Sequence, residues 1–438
     1  SVLLTLSGPE FAKNVLHQPV AGMCISIMAP AIVFEIMTGV WKGYFEGNGS
    51  HIPSSHSIVI KSVVMITASL ISTGILYRYG QKVSALLQDS IYAAAYGAIG
   101  ISIGILISSV VGFLHILFVF LIYRKSSGRK EQLKNQDRGQ HIFRMLMGTA
   151  LPFMIYALLG RGILLLDGIL FIRQKEGTAD TVLLWGNYYG KCLPVLGIMI
   201  LFCILFHEGY IRRIIYFMDR EEFRMARERM AEFMQHIILI SFPVAVFTAV
   251  FSENLLNLFF KGNNASLAQA VATGSILIPL FAISYACAEL LVRMRKMRYV
   301  LSLEGIAAIT HGILMIVLLQ SMGDSLFGIL IAQIVPLAVF TVLSFILVLR
   351  GIQYRIDYMR RLAFPAATAA AAGLVCLAFN KLLSSFAGST VSMIICIPVG
   401  IVIYIILLLI LKAISEDEIQ KLPLAGMILF IGKLTRLL

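Results

Sequence analysis

Charge is what this sequence lacks. Only 13% of its 438 residues are Asp, Glu, Lys or Arg, against 59% hydrophobic residues and a mean hydropathy of +0.88. A soluble domain needs roughly 25% charged residues to coat its surface. The shortage argues against a water-soluble fold, because the long apolar runs that replace the charges need lipid as their solvent. Cysteine motifs are missing as well. The six cysteines (24, 192, 203, 287, 376 and 396) sit singly in apolar segments, with no CxxC and no Cys/His cluster. That pattern supports neither a disulfide framework nor a zinc site, so no metal ligand set is expected. There is no HExxH, GxSxG or GxxxxGK[ST], and no acidic pair in an extramembrane domain; the expectation is a protein that is not an enzyme. The opening Ser1-Val-Leu-Leu-Thr-Leu has no basic n-region, cleavage pattern or initiator Met. An N-terminus cut partway into an apolar stretch is therefore expected.

What is present is a run of apolar segments. A window of about 20 residues finds eleven candidate spans, at 18–42, 57–79, 92–124, 141–173, 182–208, 234–259, 266–292, 298–321, 325–350, 361–384 and 388–413. The fold class expected is all-α and polytopic. Basic residues gather in every second loop: Arg124, Lys125, Arg129, Lys130, Lys134 and Arg138; Arg212, Arg213, Arg220, Arg224, Arg227 and Arg229; Arg293, Arg295, Lys296 and Arg298; Arg350, Arg355, Arg360 and Arg361. The net charge of +13 thus reads as topology, with no nucleic-acid partner implied. By the positive-inside rule these loops and the C-terminus are cytoplasmic, which predicts a multi-pass protein of the bacterial cytoplasmic membrane. Losing or adding one span would break the alternation.

Residues 210–233 have helical period with one charged face. They are read either as an amphipathic helix that lies on the inner membrane surface or bridges two halves, or as a cytoplasmic extension of the next span. Near the end, Ser415-Glu-Asp-Glu418 forms a capping box, and Leu422-Pro423 interrupts the helix it starts. Prolines 30, 152, 194, 243, 336, 365 and 398 lie in or near spans, and each removes one backbone hydrogen bond and permits a bend.

Ionisable side chains at bilayer depth are costly and mark functional sites. The central ones are Glu35, Arg161, Asp167, Lys191, Glu304 and His311. Asp167 has only apolar neighbours one helical turn away (Ile163, Leu164, Leu170 and Phe171), so its partner must come from another helix, a cation or a water-filled cavity. Arg161, six residues away, is about 120° round the helix and a poor mate. Lys191 shares a polar, kinked face with Asn187, Tyr188 and Pro194, which predicts a cavity wall and a Lys191–Asp167 pair between consecutive spans. Glu304 lies two turns from His311 on one face, as a lined cavity would require.

The segment from Pro30 to Val59, PAIVFEIMTGVWKGYFEGNGSHIPSSHSIV, resembles a stretch of the SpoVB/MurJ-type branch of the MOP (multidrug/oligosaccharidyl-lipid/polysaccharide) exporters. The core of the match is Lys42-Gly43-Tyr44-Phe45-Glu46-Gly47, read as a tight cytoplasmic turn, with Pro53 after it. Further similar stretches follow in order: Ala93-Ala-Ala-Tyr-Gly-Ala98, Ala150-Leu-Pro152 with Leu166-Asp167, Gly186-Asn-Tyr-Tyr-Gly-Lys191, and Ile414 to Pro423.

The resemblance implies a fourteen-helix, two-lobed, MATE-like transporter fold with a central cavity, of which this chain would hold helices four to fourteen. The domains expected are 1–140, a partial N-lobe; 141–350, a six-helix C-lobe; and 351–438, two extra helices with a cytosolic tail. The implied function is a flippase moving lipid-linked oligosaccharide or peptidoglycan precursor across the membrane by alternating access, as a monomer among membrane lipids. Lys191, Asn187, Tyr188 and Arg161 would line the cavity for an anionic head group. Asp167, His311 and Glu304 would be the ion-coupling residues, with Na+ or H+ as the ion. His311 stands where relatives often have Asn, which weakens any carried-over sodium site. The alternatives are a cation-coupled drug antiporter of the MATE type, which would want an acidic cavity, and an inactive truncated scaffold.

Overall fold

The computed structural model describes residues 1–127, 139–173, 178–262, 264–322, 326–354, 357–414, 419–420 and 425–435. The capping box at 415–418 and the basic residues 129–138 fall outside these. Among the described residues there is no strand, and eleven helices are long and apolar enough to cross a membrane. The all-α, polytopic reading and the count of eleven are both met. The bounds differ where the chain can extend a helix past the lipid: the span expected at 57–79 is Ile52–Leu87. At 36 residues it is about 54 Å long, well beyond a hydrocarbon core of about 30 Å.

The chain forms two compact units. The first comprises residues 1–139 with 172–177, the second 140–171 with 178–438. The first contains α1 (Val2–Asn14), α2 (Gly22–Met28), α3 (Ala31–Gly47), α4 (Ile52–Leu87) and α5 (Ile91–Ser127). Here α4 and α5 form a close antiparallel hairpin, set by small residues. A Cβ placed on Gly100 would stand 2.5 Å from both the nitrogen and the Cα of Thr73. Without a hydrophobic force between helices in lipid, such backbone-to-backbone packing is what holds them. Glu35 is half-buried and partnered, accepting from Lys61 at 2.5 Å and from Ser109 Oγ at 2.6 Å.

The segment Lys42, Gly43, Tyr44, Phe45 and Gly47 corrects one expectation. It is not a turn but the last part of α3. The reversal comes after it, at Gly49, whose φ of +80° needs glycine. Phe45 is buried in an aromatic cluster with Tyr44 and Tyr123, which ties the end of α3 to α5.

The second unit contains most of α6 (Gly139–Arg173), then α7 (Ala179–Asn187) and α8 (Leu193–Ile204), joined by a π turn, Tyr188–Cys192. It continues through α9 (His207–Asp219), α10 (Phe223–Val250), α11 (Ser252–Phe259), α12 (Ala265–Gly274), α13 (Leu277–Arg293), α14 (Met297–Met322) and α15 (Leu326–Ile352). A second π turn, Met359–Ala363, leads into α16 (Phe364–Ala387), followed by α17 (Ser389–Ile410) and α18 (Ala425–Leu434). Both π turns end two residues before a proline, at Pro194 and Pro365. Proline lacks the N–H for the regular i−4 bond and its ring clashes there, so the ladder widens just ahead of it.

The segment 210–233 divides between two helices. α9 is a separate helix, and Glu221 at φ +61° turns the chain into α10, whose first turns continue into the next span. α9 is tied to α13 by Arg293, which donates to both Glu208 oxygens at 2.9 and 2.8 Å and to Glu289 at 2.9 Å. Arg212 adds a bond to Glu208 at 2.6 Å. Burial opposes ionisation of Glu208, but the bonds from Arg212 and Arg293 outweigh it and hold the carboxyl below its ordinary range.

Candidate functional site

The polar centre of the second unit grows from one proline. Pro336 lies inside α15, so the carbonyl of Ala332 four residues earlier has no N–H to accept from. His311 of α14 approaches it with Nδ1 at 2.7 Å. A carbonyl only accepts, so Nδ1 carries the hydrogen. The imidazole is thereby fixed, and Nε2 points at Asp167 Oδ1 at 2.6 Å. Both side chains are buried, Asp167 at 0% and His311 at 5% exposure.

Gln333, the residue after the freed carbonyl, completes the arrangement. Its Nε2 donates to Asp167 Oδ2 at 3.1 Å, and its Oε1 accepts from the Tyr188 hydroxyl at 2.8 Å. Four helical segments therefore converge: α6 through Asp167, the π turn through Tyr188, α14 through His311 and α15 through Gln333. Small residues allow the approach. Gly168, next to Asp167, lies flat against Trp185, whose Nε1 would be 3.0 Å from an added Cβ.

His311 and Gln333 also line a cavity of about 350 Å³, together with Glu304, Gly160 and Pro336. Apart from these polar groups its wall is apolar. Glu304 is half-buried on it, and among the described residues it has no ion pair. The shared face of Glu304 and His311 thus faces one cavity.

The expected Lys191–Asp167 pair does not form. The π turn sends Tyr188 inward to Gln333 and Lys191 elsewhere, so Lys191 Nζ donates to Asn264 Oδ1 at 3.2 Å. Asn264 is itself buried, held by Asn257 Oδ1 and the Phe260 carbonyl, both 3.0 Å from its Nδ2. Among the described residues the ammonium has a neutral amide as partner and no carboxylate. Tyr188, expected on an open wall, is fully buried. Asn187 is half-buried and Arg161 exposed, and neither joins the Asp167 network. Gln333 and Asn264 went unnoticed in the sequence. A lone Gln three residues before a mid-helix proline was the signal for the first; nothing marked the second.

No family model matches the chain. It is similar to stage V sporulation protein B of Bacillus subtilis (strain 168), with 22% identity over 432 residues, covering 97% of this chain and 80% of that protein. Among solved structures it is similar to the lipid II flippase MurJ in its inward closed conformation, with TM-score 0.63 and 15% identity, covering 93% of this chain and 79% of that one. The fold is MurJ-like, and the resemblance read from Pro30–Val59 and the later segments extends over nearly the whole chain.

Proposed function

We propose that this SpoVB/MurJ-like chain is a flippase that moves a lipid-linked oligosaccharide or peptidoglycan precursor across the bacterial cytoplasmic membrane by alternating access. The observation that carries the reading is the coincidence of two likenesses, one in sequence and one in fold, each covering more than nine-tenths of the chain. Both relatives are named for roles other than catalysis, so the chain is read as a transporter and not as an enzyme. Its partners are the lipid-linked glycan and the surrounding lipids. It works as a monomer, with the basic loops and the C-terminus in the cytoplasm.

Lys191 is the head-group contact. A pyrophosphate-linked cargo is anionic, and Lys191 offers an ammonium whose partner among the described residues, Asn264, carries no charge. Asn187 and Arg161 extend that contact, while Tyr188 positions Gln333 from behind. Asp167 and His311, with Glu304 in the same cavity, form the ion-coupling centre.

The test is transport in proteoliposomes of a fluorescent polyprenyl-diphosphate-linked sugar. Lys191→Ala is expected to abolish its movement. Movement that survives in this variant, together with drug efflux lost in Asp167→Asn, would identify a cation-coupled drug antiporter and sink the reading.

A further inference from the structure

The hydrogen-bond directions around His311 leave one proton to be accounted for. Nδ1 must donate to the Ala332 carbonyl, because Pro336 supplies no N–H and a carbonyl cannot donate. A neutral imidazole with its hydrogen on Nδ1 has a bare lone pair on Nε2. That lone pair would then face an Asp167 carboxylate oxygen at 2.6 Å, acceptor against acceptor, in a fully buried place. Such a contact is repulsive and is not a bond. It becomes one only with a further proton between Nε2 and Oδ1, whether that proton sits on the ring as imidazolium or on the acid.

The surroundings leave this proton to the pair alone. Gln333 donates its amide hydrogen to Asp167 Oδ2, and its orientation is set by Tyr188, whose hydroxyl donates to Gln333 Oε1. The ionisable groups on the neighbouring elements include Tyr156 on α6, which lies near Glu304, and Cys192 on the π turn, whose thiol donates to the Leu267 carbonyl. Tyr188 is on the π turn, and Glu304 is two turns along α14 on the same cavity. Arg161, on the Asp167 helix, is exposed, and Lys191 is bonded to Asn264. None of these is bonded to Asp167 or His311. A hard cation would want several oxygen ligands. Here one carboxylate oxygen meets a ring nitrogen and the other an amide.

The geometry points to Asp167 and His311 as a site for a single exchangeable proton, taken up between Oδ1 and Nε2 and reached from the cavity that His311 lines. It further makes this proton the ion coupled to cargo movement, a step that rests on the transport reading above. Loading closes the pair into a bond. Unloading returns the proton to the cavity and sets the lone pair against the carboxylate, which drives α6 and α14 apart. The proton is the only species gained or lost.

Two measurements on the full chain in phosphatidylcholine/phosphatidylglycerol liposomes separate the site from its use. Infrared difference spectra between acid and alkaline buffer should show a carboxyl or imidazole protonation band that disappears in both Asp167→Asn and His311→Gln. A band absent from the wild type, or one that survives in either variant, overturns the proton site. The second measurement follows the fluorescent polyprenyl-diphosphate-linked sugar at clamped zero potential. One proton per cycle should bias its distribution about tenfold per pH unit, and an equal sodium gradient should do nothing. A response to sodium and not to pH overturns the coupling. If neither gradient moves the sugar at all while the infrared band behaves as expected, the flippase reading fails and the proton site stands.

Discussion

Removing either partner of the Asp167–His311 bond should have very different consequences for stability. In Asp167→Asn the new amide can donate to His311 Nε2 while its oxygen accepts from Gln333. His311 then stays neutral and goes on donating to the Ala332 carbonyl. Every bond in the network survives with one proton fewer, so the cost should stay below about 1 kcal/mol, the range of single interhelical hydrogen bonds in membranes. His311→Ala leaves two orphans. The Ala332 carbonyl, already denied its helical partner by Pro336, loses its replacement donor, and Asp167 Oδ1 loses its nearest neighbour. Breaking a buried pair from one side costs about 3–5 kcal/mol. The assay is a titration with sodium dodecyl sulfate in mixed micelles, followed by a thiol-reactive dye. Five of the six free cysteines are buried, so labelling reports unfolding. The two variants should differ by at least about 2 kcal/mol. Equal costs would refute the assigned hydrogen-bond directions. A second control uses Pro336→Ala, which returns an N–H to residue 336. In that background His311→Ala should cost less, by about 1 kcal/mol, because the Ala332 carbonyl regains a partner.

Other outcomes follow from the same kind of reasoning. Gly100→Val should destabilise the α4–α5 hairpin by about 1–3 kcal/mol, since the added atoms meet the Thr73 backbone; Gly43→Ala, which has open space, should be neutral or stabilising in the same titration. His207, in α9 beyond the span that ends at Ile204, is buried, and burial together with the neighbouring His236 pushes its pKa down to about 4. Its neutral form is what folding favours. Stability should therefore be full above about pH 6.5 and fall as pH drops toward 4, and His207→Leu should flatten that slope. Tyr404→Phe should cost about 1 kcal/mol, because the Tyr404 hydroxyl donates to the Leu239 carbonyl at 3.3 Å, and Pro243→Ala should erase that cost.

The last of these predictions shows where the sequence was legible and where it was not. The eleven spans could be read directly, because apolar length is a local property. Asp167 and His311 stood out for the same reason, each an ionisable group in an apolar run. Their pairing could not be read: helical period shows which face a residue occupies but not which helix faces it. Lys191 and Asp167, on consecutive spans, looked like partners and are not, because a π turn ahead of Pro194 redirects Lys191 toward Asn264. Part of the missing information was nevertheless written in two of the prolines, Pro336 and Pro243. A proline at position n inside a helix leaves the carbonyl at n−4 without its donor, and in lipid that carbonyl needs another. Pro336 designates Ala332, and His311 answers it; Pro243 designates Leu239, and Tyr404 answers it. The acceptor was therefore readable from each proline, and only the donor's identity needed the fold. The same argument explains why His311 can hold a proton for Asp167. A ring whose far nitrogen were free could turn its hydrogen either way, and Pro336 removes that freedom.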